Sequence, residues 1–240
     1  MSKIINFYEQ KKVKKYLKKA DNPSWEFTNI DLNSRILIVG SSGSGKTNNC
    51  LQYIYNSPNT FQKIVIVNKG IEEPLYEFLK NEKELKGKIL FYNLANLPSM
   101  EELKATMEEP EDQYLVVFDD LVNDIARDTK IKNYYIAGRK MNMTMIFLSQ
   151  SYFKVDKVIR GQLNYLLLLK LSSNKDLKLV LSDYSLGVEK EELVEIWKDA
   201  TKEKFSFLKI DINTGDPNKK FSKGFLDYYE LGESESSDEE

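Results

Sequence analysis

A three-layer α/β sandwich around a mostly parallel sheet is the fold class this sequence predicts, and two observations predict it. From Arg35 onward, apolar runs of strand length alternate with helix-length periodic segments. Several runs, such as Leu115-Val116-Val117-Phe118, are apolar at every position rather than at alternate ones. That pattern suits strands covered on both faces. With 240 residues, 41% hydrophobic and 12% aromatic, the chain has enough apolar material for one large core.

In chain order, the helical spacing of Val13, Tyr16, Leu17 and Ala20 predicts an amphipathic helix over 11–20, ended by Asn22-Pro23. Strands follow over Arg35–Val39, 63–68, 88–92, 114–118, 143–148, 165–171 and 205–211. Between them, helices are expected over Lys46–Tyr55, 73–81, 100–108, 131–140, 176–183 and 189–202. Asn213 to Asn218 reads as a turn joining two terminal antiparallel strands. The layout is thus a basic amphipathic segment at 1–22, one α/β domain at 30–230 and an acidic tail at 231–240, expected to be disordered.

Composition excludes several chemistries. There is no histidine and one cysteine, Cys50, so a His-based triad, a His-ligated metal and a disulfide framework are all ruled out. A reducing compartment fits the cysteine count, and the first residues are too polar for a secretory signal. No apolar run approaches the roughly 20 residues of a membrane span. The net charge of −2 conceals a basic head, seven lysines against Glu9 in the first twenty residues, and six acids without a base after Tyr229. Only Arg35, Arg127, Arg139 and Arg160 are arginines.

Chemistry concentrates at three strand ends. Gly40-Ser41-Ser42-Gly43-Ser44-Gly45-Lys46-Thr47 fits G-x-x-x-x-G-K-[ST] at every fixed position. Glycines let backbone N–H groups converge on phosphate oxygens, and the following helix turns its positive dipole end to the same anion. Lys46 would reach the β- and γ-phosphates of ATP, and the Thr47 hydroxyl would hold Mg²⁺. The strand Tyr114-Leu115-Val116-Val117-Phe118 ends in Asp119-Asp120. Asp119 is the metal ligand expected there, and Asp120 the general base that polarises water. The run from Met143 to Leu148 leads into Ser149-Gln150, and Gln150 is expected beside the γ-phosphate as a sensor of hydrolysis. These features define a P-loop NTPase of the ASCE, RecA-like kind. Charge on the transferred phosphoryl group often calls for an arginine from another subunit. Arg160 and Arg139 are the candidates, Arg35 being structural and Arg127 lying in a polar loop.

These residues together resemble the viral genome-packaging ATPases of the FtsK–HerA superfamily, in the poxvirus-type branch of large DNA viruses and virophages. The resemblance runs from about Ser34 to Leu171, and more weakly to about Tyr229. It is carried by the phosphate loop, Glu73-Pro74-Leu75-Tyr76, Phe118-Asp119-Asp120-Leu121, Gly138-Arg139-Lys140 and Leu148-Ser149-Gln150. Lys140 stands where the family commonly has histidine. The resemblance implies a homo-oligomeric ring, a pentamer or hexamer. Such a ring uses ATP to drive double-stranded DNA into a preformed capsid in the host cytoplasm, docked on a capsid or portal component. The lysine-rich head would suit a reversible, sequence-independent grip on a phosphate backbone, a protein contact or simply a solvated face.

Two other readings stay open. A P-loop kinase of small molecules or nucleotides usually closes an arginine-rich lid, which four scattered arginines do not supply. An ATP-binding assembly scaffold would bind nucleotide without turnover. A GTPase is disfavoured because Asn68-Lys69-Gly70-Ile71 lacks the guanine-reading aspartate.

Overall fold

The computed structural model describes residues 5–14, 21–70, 73–124, 129–184 and 188–231. In chain order these form α1 (Lys11–Lys14), α2 (Trp25–Thr28), β1 (Arg35–Val39), α3 (Lys46–Tyr55), β2 (Lys63–Val67), α4 (Pro74–Asn81) and β3 (Ile89–Tyr92). Next come α5 (Met100–Lys104), β4 (Tyr114–Asp119), α6 (Thr129–Ala137), β5 (Met143–Ser149), α7 (Lys157–Arg160) and β6 (Tyr165–Leu168). The chain continues through α8 (Asn174–Tyr184), α9 (Lys190–Ala200), β7 (Leu208–Asp211), β8 (Phe221–Lys223) and β9 (Asp227–Tyr228). Of the helix expected over 11–20, Lys11–Lys14 is helical as α1; residues 15–20, the loop around Arg127 and the acidic tail after Leu231 lie outside the described residues.

The strands form a single sheet in the order β3-β2-β4-β5-β1-β6-β7-β8-β9. The six strands from β3 to β6 are parallel, and β7, β8 and β9 add antiparallel pairs at one side. β1 is buried at every position, as is β5, which explains why these strands read as unbroken apolar runs. Alternate side chains feed two cores. Leu37, Val39, Val116, Met145 and Phe147 face α5, α6, α8 and α9. Ile36, Ile38, Leu115, Val117, Ile146 and Leu148 face α3 and α4, where Cys50, Ile54, Tyr76 and Leu79 are buried. Each such fully buried aliphatic side chain contributes roughly 1.5–3 kcal/mol.

Local chemistry sets the boundaries. Ser99 and Glu102 form a reciprocal capping box at the start of α5. That helix stops at Lys104, short of the expected 108, because the next backbone N–H groups fold into turns on Leu103 and Lys104. α6 gives way to a 3₁₀ turn, Gly138–Met141, where the terminal methyl of Met145 packs against Gly138 in the space a Cβ would take. The last expected long strand shortens to β7 because Phe205 adopts φ +67. No helix among the described residues is long and apolar enough to cross a membrane.

Beneath the antiparallel side, Lys209 is fully buried. Its ammonium donates to the carbonyls of Phe225 and Thr28 and lies over the Tyr228 ring. Burial pulls its pKa down to about 8, only partly countered by Asp211. Between about pH 8 and the ordinary lysine value of 10.5 the unfolded chain holds a proton that the folded chain has released. Stability therefore rises with pH across that window, by about 3 kcal/mol for this group. Urea-unfolding midpoints measured from pH 7 to 10 should climb in the wild type and stay flatter in Lys209→Met. Parallel slopes would refute the burial of this lysine.

Candidate nucleotide site

The site begins where β1 runs out of its ladder. Gly40 N–H donates to Ser149 O (3.2 Å), and Ser41 donates to Lys170 O through both its N–H and its hydroxyl (each 2.9 Å). The loop is thereby anchored to the ends of both neighbouring strands, β5 and β6. It then turns through Gly43 (φ +73) and Gly45 (φ +101), conformations that favour glycine. Gly45 caps α3 with no side-chain hydrogen bond, which leaves the first N–H groups of the helix available to an anion. Lys46 folds across the loop, donating to Gly40 O (2.9 Å) and Ser41 O (3.0 Å). Burial lowers its pKa, while the charges of Asp119 and Asp120 favour the protonated form.

Strand order delivers those carboxylates. β5 lies between β1 and β4, and its register pairs Ser149 with Val39 and Leu148 with Asp119. Gly40, Asp120 and Gln150, each one residue past a paired position, therefore share the carboxyl-terminal edge of the sheet. Gln150 Nε2 approaches Asp120 Oδ1 at 3.5 Å. Asp120 has φ +53, a left-handed conformation that costs of order 1–3 kcal/mol and clusters at functional sites. Asp119 accepts a 2.7 Å hydrogen bond from the Tyr76 hydroxyl. Burial raises the Asp119 pKa, while the Tyr76 bond and the Lys46 charge pull it down. Tyr76 is itself buried, its own pKa pushed up by desolvation and then by Asp119, so it stays a donor. The sequence marks Tyr76 only as part of Glu73-Pro74-Leu75-Tyr76, with no role for its hydroxyl, because the acid it serves lies 43 positions on.

The arginine candidates stand apart from this edge. Arg139 is exposed in the 3₁₀ turn that precedes β5, which places it at the amino-terminal edge of the parallel strands. There it lines a cleft of ≈ 660 Å³ with Asp31, Ser34, Asn164 and Asp211. Arg160 is ion-paired to Asp183 (3.0 Å), donates to Val155 O and lies over the Tyr152 ring. Arg35 is buried and donates to the carbonyls of Tyr135 and Ile136, a structural placement.

Thr47 and Asp119 offer hard oxygen donors, which suit Mg²⁺. Among the described residues no group of three or more His, Cys, Asp or Glu side chains could hold a metal by itself. A metal here would take its remaining ligands from phosphate and water, the usual habit of Mg²⁺.

Comparison with known proteins follows the same lines. The sequence profile of the family described as Poxvirus A32 protein matches residues 27–213. No curated protein sequence matches significantly. The fold is similar to that of B204, the DNA-packaging ATPase from Sulfolobus Turreted Icosahedral Virus, with TM-score 0.56 and 14% identity over 77% of this chain and 95% of that one. It is likewise similar to the genome packaging NTPase B204 from Sulfolobus turreted icosahedral virus 2. The sulfate complex of that protein gives TM-score 0.56 and 15% identity over 82% and 98% of the two chains. Its ATP-gammaS complex gives 0.54 and 15% over 75% and 93%. At such identities the likeness shows the fold.

Gly45 offers a direct check on the loop geometry. A Cβ there would meet Phe205 Cδ1 at 2.5 Å while sitting at φ +101. Gly45→Ala should cost about 1–3 kcal/mol, read as a lowered thermal midpoint. An unchanged midpoint would refute the left-handed turn.

Proposed function

Because the chain belongs to the Poxvirus A32 protein family, we propose that it is an ATP-hydrolysing motor that drives double-stranded DNA into a preformed capsid. One observation carries this reading: β5, inserted between β1 and β4, gathers Lys46, Asp119, Asp120 and Gln150 at one edge of the sheet. The name of the similar viral protein, a DNA-packaging ATPase, and the ATP-gammaS complex of its counterpart support it.

Each residue has a task. The loop N–H groups from Gly43 to Thr47 and the Lys46 ammonium receive the phosphates. Thr47 and Asp119 would hold Mg²⁺, which when bound neutralises phosphate charge. Tyr76 fixes the Asp119 carboxylate through its hydroxyl. Asp120 takes the proton of the attacking water. Gln150, touching Asp120, reports whether the γ-phosphate is present. Copies assemble in a ring, and an arginine enters from the neighbour. Arg139 suits that part better than Arg160, since it is exposed whereas Arg160 is ion-paired to Asp183. Lysines of the basic head grip the DNA backbone, a capsid or portal component receives the ring, and the work is done at the viral assembly site in the host cytoplasm.

Steady-state ATP turnover with and without duplex DNA tests the reading, with stimulation by DNA expected. Phosphate transfer to a small acceptor would point to a kinase, and binding without turnover to an assembly scaffold. Lys46→Ala should weaken nucleotide binding. Asp120→Asn should keep nucleotide affinity and slow hydrolysis about 10²–10⁴-fold. Mixing Arg139→Ala with Lys46→Ala subunits should recover part of the activity that each lacks alone. No recovery there, but recovery with Arg160→Ala, would move the finger to Arg160.

A further inference from the structure

The turn between α9 and β7 carries a conformation its sequence does not favour. Phe205 sits at φ +67, where a bulky side chain is strained and lacks the local hydrogen bond by which Asn or Asp settles there. Something holds it, and that is the phosphate loop's own helix. The amide of Asn49, a buried residue in the first turn of α3, donates to Phe205 O at 2.9 Å. The Phe205 side chain lies so close to Gly45 that a Cβ there would touch Cδ1, Cγ and Cβ of the phenylalanine at 2.5, 2.9 and 3.1 Å. Yet the residue is 37% exposed. The Lys204 ammonium stands 4.7 Å over its centroid, a flexible cation on a ring face that a flat ligand arriving from solvent would displace.

Topology gives the position meaning. β7 runs antiparallel to β6, pairing Leu208 with Leu168. The residues leading into β7 therefore lie at the same edge as the phosphate loop. The acids lie on one flank of that loop, through β5 and β4, and Phe205 lies on the other, beyond β6. A triphosphate whose γ end faced Asp119 and Asp120 would extend its nucleoside toward the opposite flank, where Phe205 lies. We infer that Phe205, held by Asn49 against Gly45, is the platform on which the nucleobase stacks. This rests on the loop being a nucleotide site. Stacking of this kind recognises the flat face of any base and adds affinity without reading its edge.

The test separates base from phosphate. Binding of ATP and of inorganic tripolyphosphate is measured by calorimetry for the wild type, Phe205→Asn and Phe205→Tyr. Asparagine tolerates the left-handed backbone and has no ring, while tyrosine keeps the ring. The expected result is that Phe205→Asn weakens ATP binding roughly ten- to a hundred-fold, leaves tripolyphosphate binding unchanged, and that Phe205→Tyr behaves as wild type. Equal weakening toward both ligands would mean that Phe205 only supports the loop, and unchanged ATP binding would mean that the base lies elsewhere; either overturns the inference. A wild-type protein that binds neither ligand would instead overturn the nucleotide site itself.

Discussion

The ladder that seats β5 between β1 and β4 is the constraint on which the site depends. Seven consecutive buried residues fix its register, because a slip of one would exchange the contents of the two cores. With that register set, the strand ends cannot be staggered independently. The loop after Val39, the acids after Phe118 and the amide after Ser149 must arrive together. Hydrophobic burial in the middle of the sheet thus positions polar groups at its rim, and no polar contact is needed to bring them there.

The rim itself is not relaxed. Asp120 and Phe205 hold left-handed backbones on opposite flanks of the loop, and Asp119 carries a carboxylate into partly buried surroundings that raise its pKa. Each is tolerated through a partner on another element. Tyr76 on α4 serves Asp119, Gln150 after β5 meets Asp120, and Asn49 on α3 holds Phe205. Such cross-element ties over a rigid sheet are how strain at a site persists.

How much of this was legible in the sequence follows from the range of the forces involved. Fully buried parallel strands leave a continuous apolar signature, so β1 and α3 are read to the residue, and β4 and β5 each run one residue further than expected. β8 was expected only through the turn from Asn213 to Asn218 that joins it antiparallel to β7, and β9, of two residues, is too short for any period to show. The loop, the acids and Gln150 were legible because each follows a strand directly. The contacts of Tyr76 and Asn49 were not, since their partners lie 43 and 156 positions away. The place of Arg139 was implicit in chain order: a residue just before a parallel strand stands at the rim opposite a loop that follows one.

Cys50, one turn beyond Lys46 in α3, is the sole thiol of the chain and is completely buried, its pKa raised by desolvation and by Asp119. A buried neutral thiol is inert to alkylating reagents while the helix stays docked. Dyes or spin labels can therefore be attached at cysteines introduced on the surface without first removing a native one. The slow alkylation of Cys50 itself then becomes a clock, counting how often the helix behind the glycine loop lifts away from the sheet.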